Sequence, residues 1–127
     1  MFGFCGEKRN LFVASFFGAR EFLSFYILHL LVEKNCYGEE ISKCVSKLLQ
    51  GLWKPNPGFI YPILKRLEGH HFIKGSWSYE GNHPRYVYEI TDRGKKQYDE
   101  LYKSFSTKLD EFVKVVESVK QEVFKSN

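Results

Sequence analysis

The stretch PNPGFIYPILKRLEGHHFIKG, residues 55–75, decides the fold of this chain. Its aliphatic side chains recur at the spacing of one helix face: Ile60, Ile63, Leu64 and Leu67. The predicted helix starts near Pro57, which suits a first helical turn, and ends near Gly69. With the inner face taken by aliphatic residues, Lys65 and Arg66 lie on the outer face. A basic pair there can meet phosphates.

Composition limits the class of protein. The 127 residues fit one domain, and 43% hydrophobic residues are enough for a packed core. The net charge of +4 is compatible with a nucleic-acid partner without requiring one. Three cysteines, an odd number, indicate a reduced and therefore cytoplasmic setting. Arg20 and Glu21 interrupt the apolar N-terminal segment, which argues against a transmembrane helix there.

Two further helices and a hairpin are predicted around the quoted stretch. Residues 11–32 and 39–50 show helical periodicity, and residues 1–10 contain turn residues typical of an irregular end. The segments HFIKGSWSY and RYVYEIT are predicted strands, joined by the turn EGNHP. We therefore expect an α+β fold that is mostly α, a winged helix-turn-helix, in which the third helix enters the DNA major groove.

A heptad pattern marks the C-terminal segment. Its apolar positions alternate at spacings of four and three: Tyr98, Tyr102, Phe105, Leu109, Phe112, Val116, Val119 and Val123. A helix of roughly 30 residues is about 45 Å long, longer than a domain this small can cover. Part of the seam can pack on the chain's own first helix, and its length favours a dimer seam. We divide the chain into a winged-helix part with an N-terminal extension, 1–91, and a dimerisation helix, 92–127.

Three segments resemble the PadR family of transcriptional regulators. They are YGEEI (37–41), PGFIYPILKRLEGHHFI (57–73) and GNHPRYVYEITDRGKK (81–96), and the resemblance spans about residues 22–100. It implies a homodimeric winged-helix repressor that binds double-stranded DNA at a palindromic operator. The single C-terminal helix is similar to the smaller PadR subgroup.

The family's DNA-contacting positions can be carried over where the motifs match. They are Gly58, Tyr61, Lys65 and Arg66 on the third helix, and Lys74, His83 and Arg85 on the wing. Other roles remain open for these residues. Tyr61 could be a half-buried core ring, Lys65 and Arg66 a solvated helix face, and Arg85 part of a cross-strand salt bridge.

The sequence also departs from the family pattern at the expected DNA face. Glu39 stands where the family has a tyrosine, and Phe59 where a small hydroxyl residue is common. His71 replaces the glycine that closes the third helix, and Asn82-His83 replaces Gly-Arg in the wing. Each change lowers positive charge or donor count. The alternative function is therefore a winged-helix protein-interaction module that does not bind DNA.

Aromatic residues raise the question of a small effector. Some PadR-like proteins resemble drug sensors with aromatic side chains at the dimer interface, so Trp53, Trp77 and Tyr98 are candidate ligand contacts, with packing as the alternative. A flat aromatic ligand could also lie between the first helix and Tyr98, Tyr102 and Phe105.

Enzymatic and metal-dependent functions have no support in the sequence. The cysteines and histidines lack a compact ligand spacing, so we predict no metal site. There is no glycine-rich phosphate loop, nucleophile elbow or H-E-x-x-H motif, so we predict no enzyme and no cofactor.

Overall fold

A computed structural model describes residues 18–52 and 57–125. The predictions for residues 1–17 and for Trp53 lie outside the described residues. The elements are α1 (Ala19–Glu33), β1 (Cys36–Tyr37), α2 (Gly38–Leu48), α3 (Pro57–Gly69), β2 (Ile73–Ser78), β3 (Arg85–Ile90) and α4 (Asp92–Val123). The predicted α+β, mostly helical class is confirmed. No helix in the described ranges is long and apolar enough to cross a bilayer.

The core forms where the three short helices meet the sheet. The predicted inner face of α3 is buried, with Ile60 and Leu64 fully enclosed. They pack in one cluster with buried residues of α1 and α2, among them Leu23, Ile27 and Ile41. This burial removes the inner face from solvent and leaves the opposite face of α3 outside.

The sheet contains one strand that the sequence did not predict. Its order is β1-β3-β2, and all pairs are antiparallel. The unpredicted strand, β1, has only two residues, Cys36 and Tyr37, which lie opposite Tyr88 and Val87. The sequence around it suggested a break between helices. Two residues are too few to show strand alternation, and β1 exists because β3 lies beside it.

The end of α3 is closed by a residue in the left-handed conformation. His71 has φ of 62°, at the position where the family pattern has glycine. The chain turns there because the Phe72 amide donates to the Leu67 carbonyl at 3.0 Å. A C-terminal closure of this kind satisfies helix carbonyls that have no partner within the helix.

The long helix α4 is anchored at its start and exposed towards its end. The Thr91 hydroxyl accepts from the Gly94 amide at 3.0 Å and donates to the His71 carbonyl at 2.6 Å, which joins α4 to the loop after α3. Phe105 is 3% exposed, and its ring packs on the rings of Phe22 and Phe25 of α1. Further on, the seam residues Val116, Val119 and Val123 are exposed.

Candidate nucleic-acid interface

The outer face of α3 presents Gly58, Tyr61 and Lys65, which follow one another at spacings of three and four. Gly58 and Lys65 are exposed, and Tyr61 is 46% exposed, so its ring is only partly packed. The ring packs on Gly38, where any Cβ would lie 2.8 Å from the tyrosine oxygen. Gly38 therefore allows the Tyr61 ring of α3 to pack against the start of α2.

Tyr61 and Arg85 border the same concavity. It encloses about 190 Å³ between the start of α2, the outer face of α3 and β3. The Arg85 guanidinium lies 4.6 Å from the centre of the Tyr37 ring, a cation–π contact. Within the described ranges Arg85 forms no ion pair, so the alternative of a cross-strand salt bridge does not describe its position. The structure thus places a cation from the wing and a tyrosine from α3 on the border of one concavity.

A carboxylate also borders this concavity. Glu39 lies in the first turn of α2, and its Oε1 is 3.3 Å from the Lys43 Nζ. Both side chains are largely exposed, so the pair is screened by solvent and only partly neutralises the charge of Glu39. Glu39 therefore opposes any phosphate that approaches Tyr61 and Arg85.

The remaining predicted contacts are spread over other surfaces. Lys74 lies opposite Glu89 in the sheet and forms an exposed cross-strand ion pair at 3.8 Å. His83 is exposed in the turn between β2 and β3. Arg66 borders a different cleft, shared with α1 and α4, and is not among the residues around Tyr61. Lys65 has no ion-pair partner in the described part of the chain.

Contacts that the sequence patterns do not predict hold the wing against α3. The Tyr86 hydroxyl donates to Glu68 Oε2 at 3.0 Å, and this hydrogen bond, with burial, raises the pKa of Tyr86. The Tyr86 ring covers Gly75 so closely that a Cβ there would lie 2.2 Å from the ring. The alternation in RYVYEIT indicates that Tyr86 and Tyr88 share a face, but nothing in it indicates that Glu68 is the partner.

Of the candidate ligand contacts, Trp77 and Tyr98 lie in the described part of the chain, and they are on separate surfaces. Trp77 is 59% exposed on the wing, and its ring meets Tyr86 edge-to-face at 5.3 Å. Tyr98 stacks on Phe25 of α1 at 5.4 Å, and its hydroxyl lies 2.8 Å from His29 Nδ1. Tyr98 therefore belongs to an aromatic cluster between α1 and α4, apart from the wing.

No metal site is formed by the described side chains. Across residues 18–52 and 57–125, no group of three His, Cys, Asp or Glu side chains could hold an ion. Cys36 is buried, and burial raises the pKa of its thiol.

Three helices followed by a two-stranded wing, with an exposed face on the third helix, define a winged helix-turn-helix protein. The Transcriptional regulator PadR-like family matches residues 27–100, more than half of the chain. The chain belongs to this family, whose members are transcriptional regulators and not enzymes.

Individual relatives agree with this membership. A protein of Lysinibacillus sphaericus is 32% identical over 89 residues, which are 68% of this chain and 81% of that protein. The structure of a transcriptional regulator from Clostridium thermocellum is 29% identical, with a TM-score of 0.59, over 82% of this chain and 95% of that one. Bacillus subtilis PadR in complex with operator DNA is 28% identical, with a TM-score of 0.55, over 63% of this chain and 46% of that one.

Proposed function

We propose that this transcriptional regulator is a homodimeric repressor that binds a palindromic operator in double-stranded DNA. The observation that carries the proposal is the position of Tyr61, Lys65 and Arg85. Two lie on the outer face of α3, and the third lies on the adjoining strand of the wing. A hydroxyl donor and two cations on these elements suit contacts to the major groove and the flanking phosphates.

The dimer is proposed from the seam of α4. Tyr98 and Phe105 pack on α1, whereas Val116, Val119 and Val123 are exposed at heptad spacing. Apolar residues in such a register bury their side chains when a second copy supplies the same seam. A symmetric pair would place two α3 helices on half-sites about one DNA turn apart. We retain the division into residues 1–91 and 92–127, and a cytoplasmic location, as parts of this proposal.

Relief by a small aromatic ligand is the regulatory part of the proposal. Phe25, Tyr98, Tyr102 and Phe105 form a continuous set of ring contacts between α1 and α4, with centroids 5.1–6.5 Å apart. Tyr102 is exposed, so a flat ring can reach this cluster from solvent. A ligand there would alter the angle between α1 and α4, and with it the spacing of the two α3 helices.

Selection of DNA from a random duplex pool tests the proposal. The purified protein should enrich a palindromic sequence, and its affinity for that sequence should fall steeply with salt. Lys65→Gln and Arg85→Gln should each weaken binding and lower the salt slope by about one. Lys114→Gln, the same change far along α4, is the control. Enrichment of no sequence by a folded dimer at low salt would contradict the proposal.

The position of Glu39 favours an alternative function, that of a protein-interaction module that does not bind DNA. A carboxylate at the rim of the Tyr61–Arg85 concavity disfavours phosphate and would suit a basic partner segment. Such binding would involve few counterions, so its salt dependence would be shallow compared with that of an operator.

A further inference from the structure

A second cleft lies on the side of α3 turned away from the Tyr61–Arg85 concavity. It encloses about 320 Å³ between α1, the end of α3 and the start of α4. This volume is at the lower end of the range for small-molecule sites. Its apolar lining comes from buried Leu28 and Leu67, with the partly buried Phe72 and Leu101 beside them.

Charges of opposite sign border this cleft without neutralising each other. Glu21, in the first turn of α1, contributes a carboxylate, and Arg66 of α3 contributes a guanidinium. Neither has an ion-pair partner within 4.0 Å in the described ranges. His70 adds a ring nitrogen beside Arg66. Both charges are therefore available to a molecule that enters the cleft.

We infer that this cleft binds a small zwitterion with an apolar side chain, the chemistry of an apolar α-amino acid. Its ammonium group would meet Glu21, its carboxylate would meet Arg66, and its side chain would lie on Leu67, Phe72 and Leu101. A neutral apolar ligand would leave both charges unmatched, and a ligand of one charge would match only one of them.

This inference rests on the proposed function, because the site would regulate DNA binding. Arg66 and Leu67 belong to α3, whereas Leu101 belongs to α4, so a bound molecule contacts both the helix that enters DNA and the helix that sets the dimer. A ligand held between them would change the angle between α3 and α4, and with it the spacing of the two α3 helices on the operator. Reciprocity then requires that the zwitterion and DNA weaken each other's binding.

Three probes of matched shape test the ligand chemistry by calorimetric titration of the full chain without DNA. L-phenylalanine carries both charges, 3-phenylpropanoate lacks the ammonium group and 2-phenylethylamine lacks the carboxylate. L-phenylalanine should bind most tightly, and loss of either charged group should weaken binding about five- to tenfold. Glu21→Gln should lower the affinity for L-phenylalanine to that for 3-phenylpropanoate. Glu33→Gln, the same change near the other end of α1, should leave the order unchanged.

The site is overturned if L-phenylalanine does not bind saturably at millimolar concentration, if 3-phenylpropanoate binds as tightly, or if Glu21→Gln has no effect. Operator affinity, measured with and without L-phenylalanine, tests the regulatory part. With L-phenylalanine held near its dissociation constant for the wild type, operator affinity should fall for the wild type and fall much less for Glu21→Gln. A wild type that binds the ligand with unchanged operator affinity overturns the effector role. Because the titration contains no DNA, failure to bind any operator is distinguishable from failure of the cleft.

Discussion

Glu39 is the residue whose chemistry conflicts most directly with the proposed DNA face. It borders the concavity that contains Tyr61 and Arg85, and its partner Lys43 is equally exposed. We expect Glu39→Gln to tighten operator binding about three- to tenfold at low salt, because it removes a repulsive charge and frees a lysine. Binding measured across a salt series checks this.

The matched control for Glu39→Gln is Glu117→Gln on α4, which also releases a lysine, Lys120, from an exposed pair. It should change operator affinity little, since it lies far from the wing. If both variants tighten binding equally, the effect is one of net charge, and the local conflict at Glu39 is refuted.

Tyr88 gives a stability prediction at the same scale. It is 6% exposed, and burial raises its pKa to about 12, above the ordinary value of 10.0. Below pH 10 the hydroxyl is protonated in both states, and between the two pKa values the unfolded chain loses its proton first. The free energy of unfolding should therefore fall by about 2 kcal/mol as the pH rises through this window.

Chemical denaturation at several pH values checks the Tyr88 prediction. Tyr88→Phe should flatten the decline, leaving a smaller slope from other tyrosines whose pKa is raised, such as Tyr26 and Tyr98. Tyr79→Phe, a substitution at an exposed site, is the control. A decline that is equally steep without the Tyr88 hydroxyl would show that this group is not responsible.

At the scale of the elements, the end of α3 stores backbone strain at His71. A left-handed conformation costs a β-carbon-bearing residue about 1–2 kcal/mol relative to a right-handed one, and glycine avoids this cost. His71→Gly should raise the free energy of unfolding by about 0.5–1 kcal/mol, measured by denaturant titration. His70→Gly is the matched control. It sits one residue earlier at negative φ, so glycine should destabilise there.

At the scale of the whole molecule, the exposed seam of α4 predicts the oligomeric state. Sedimentation equilibrium of the wild type should give twice the chain mass of 15.0 kDa. Val119→Glu should shift it towards monomer, because a carboxylate in an a/d position is buried without a partner. Operator affinity should then fall by more than about tenfold, since one protomer spans only one half-site.

Ser118→Glu adds the same charge next to the seam, on a face that the heptad leaves outside, and should preserve the dimer. Far-UV circular dichroism of both variants confirms that α4 remains folded. A Val119→Glu protein that is still dimeric would place the interface elsewhere.

What the sequence by itself determined is the set of features that repeat along one element. The aliphatic face of α3 and the heptad of α4 are patterns of period near 3.6 and 3.5, and each follows from neighbouring residues alone. The outer position of Lys65 followed from the same pattern. Turn chemistry in EGNHP likewise located the wing without knowledge of the rest of the chain.

Only the tertiary structure decided which elements meet. The strand β1, the Glu68–Tyr86 hydrogen bond and the Arg85–Tyr37 contact join residues distant in sequence, and no local period records them. Lys65 and Arg66 are neighbours in sequence, but a rotation of about 100° per residue turns Arg66 towards α1 and α4. The surroundings of an exposed side chain depend on which elements pack around its helix. The packing of those elements follows from burial of the whole core.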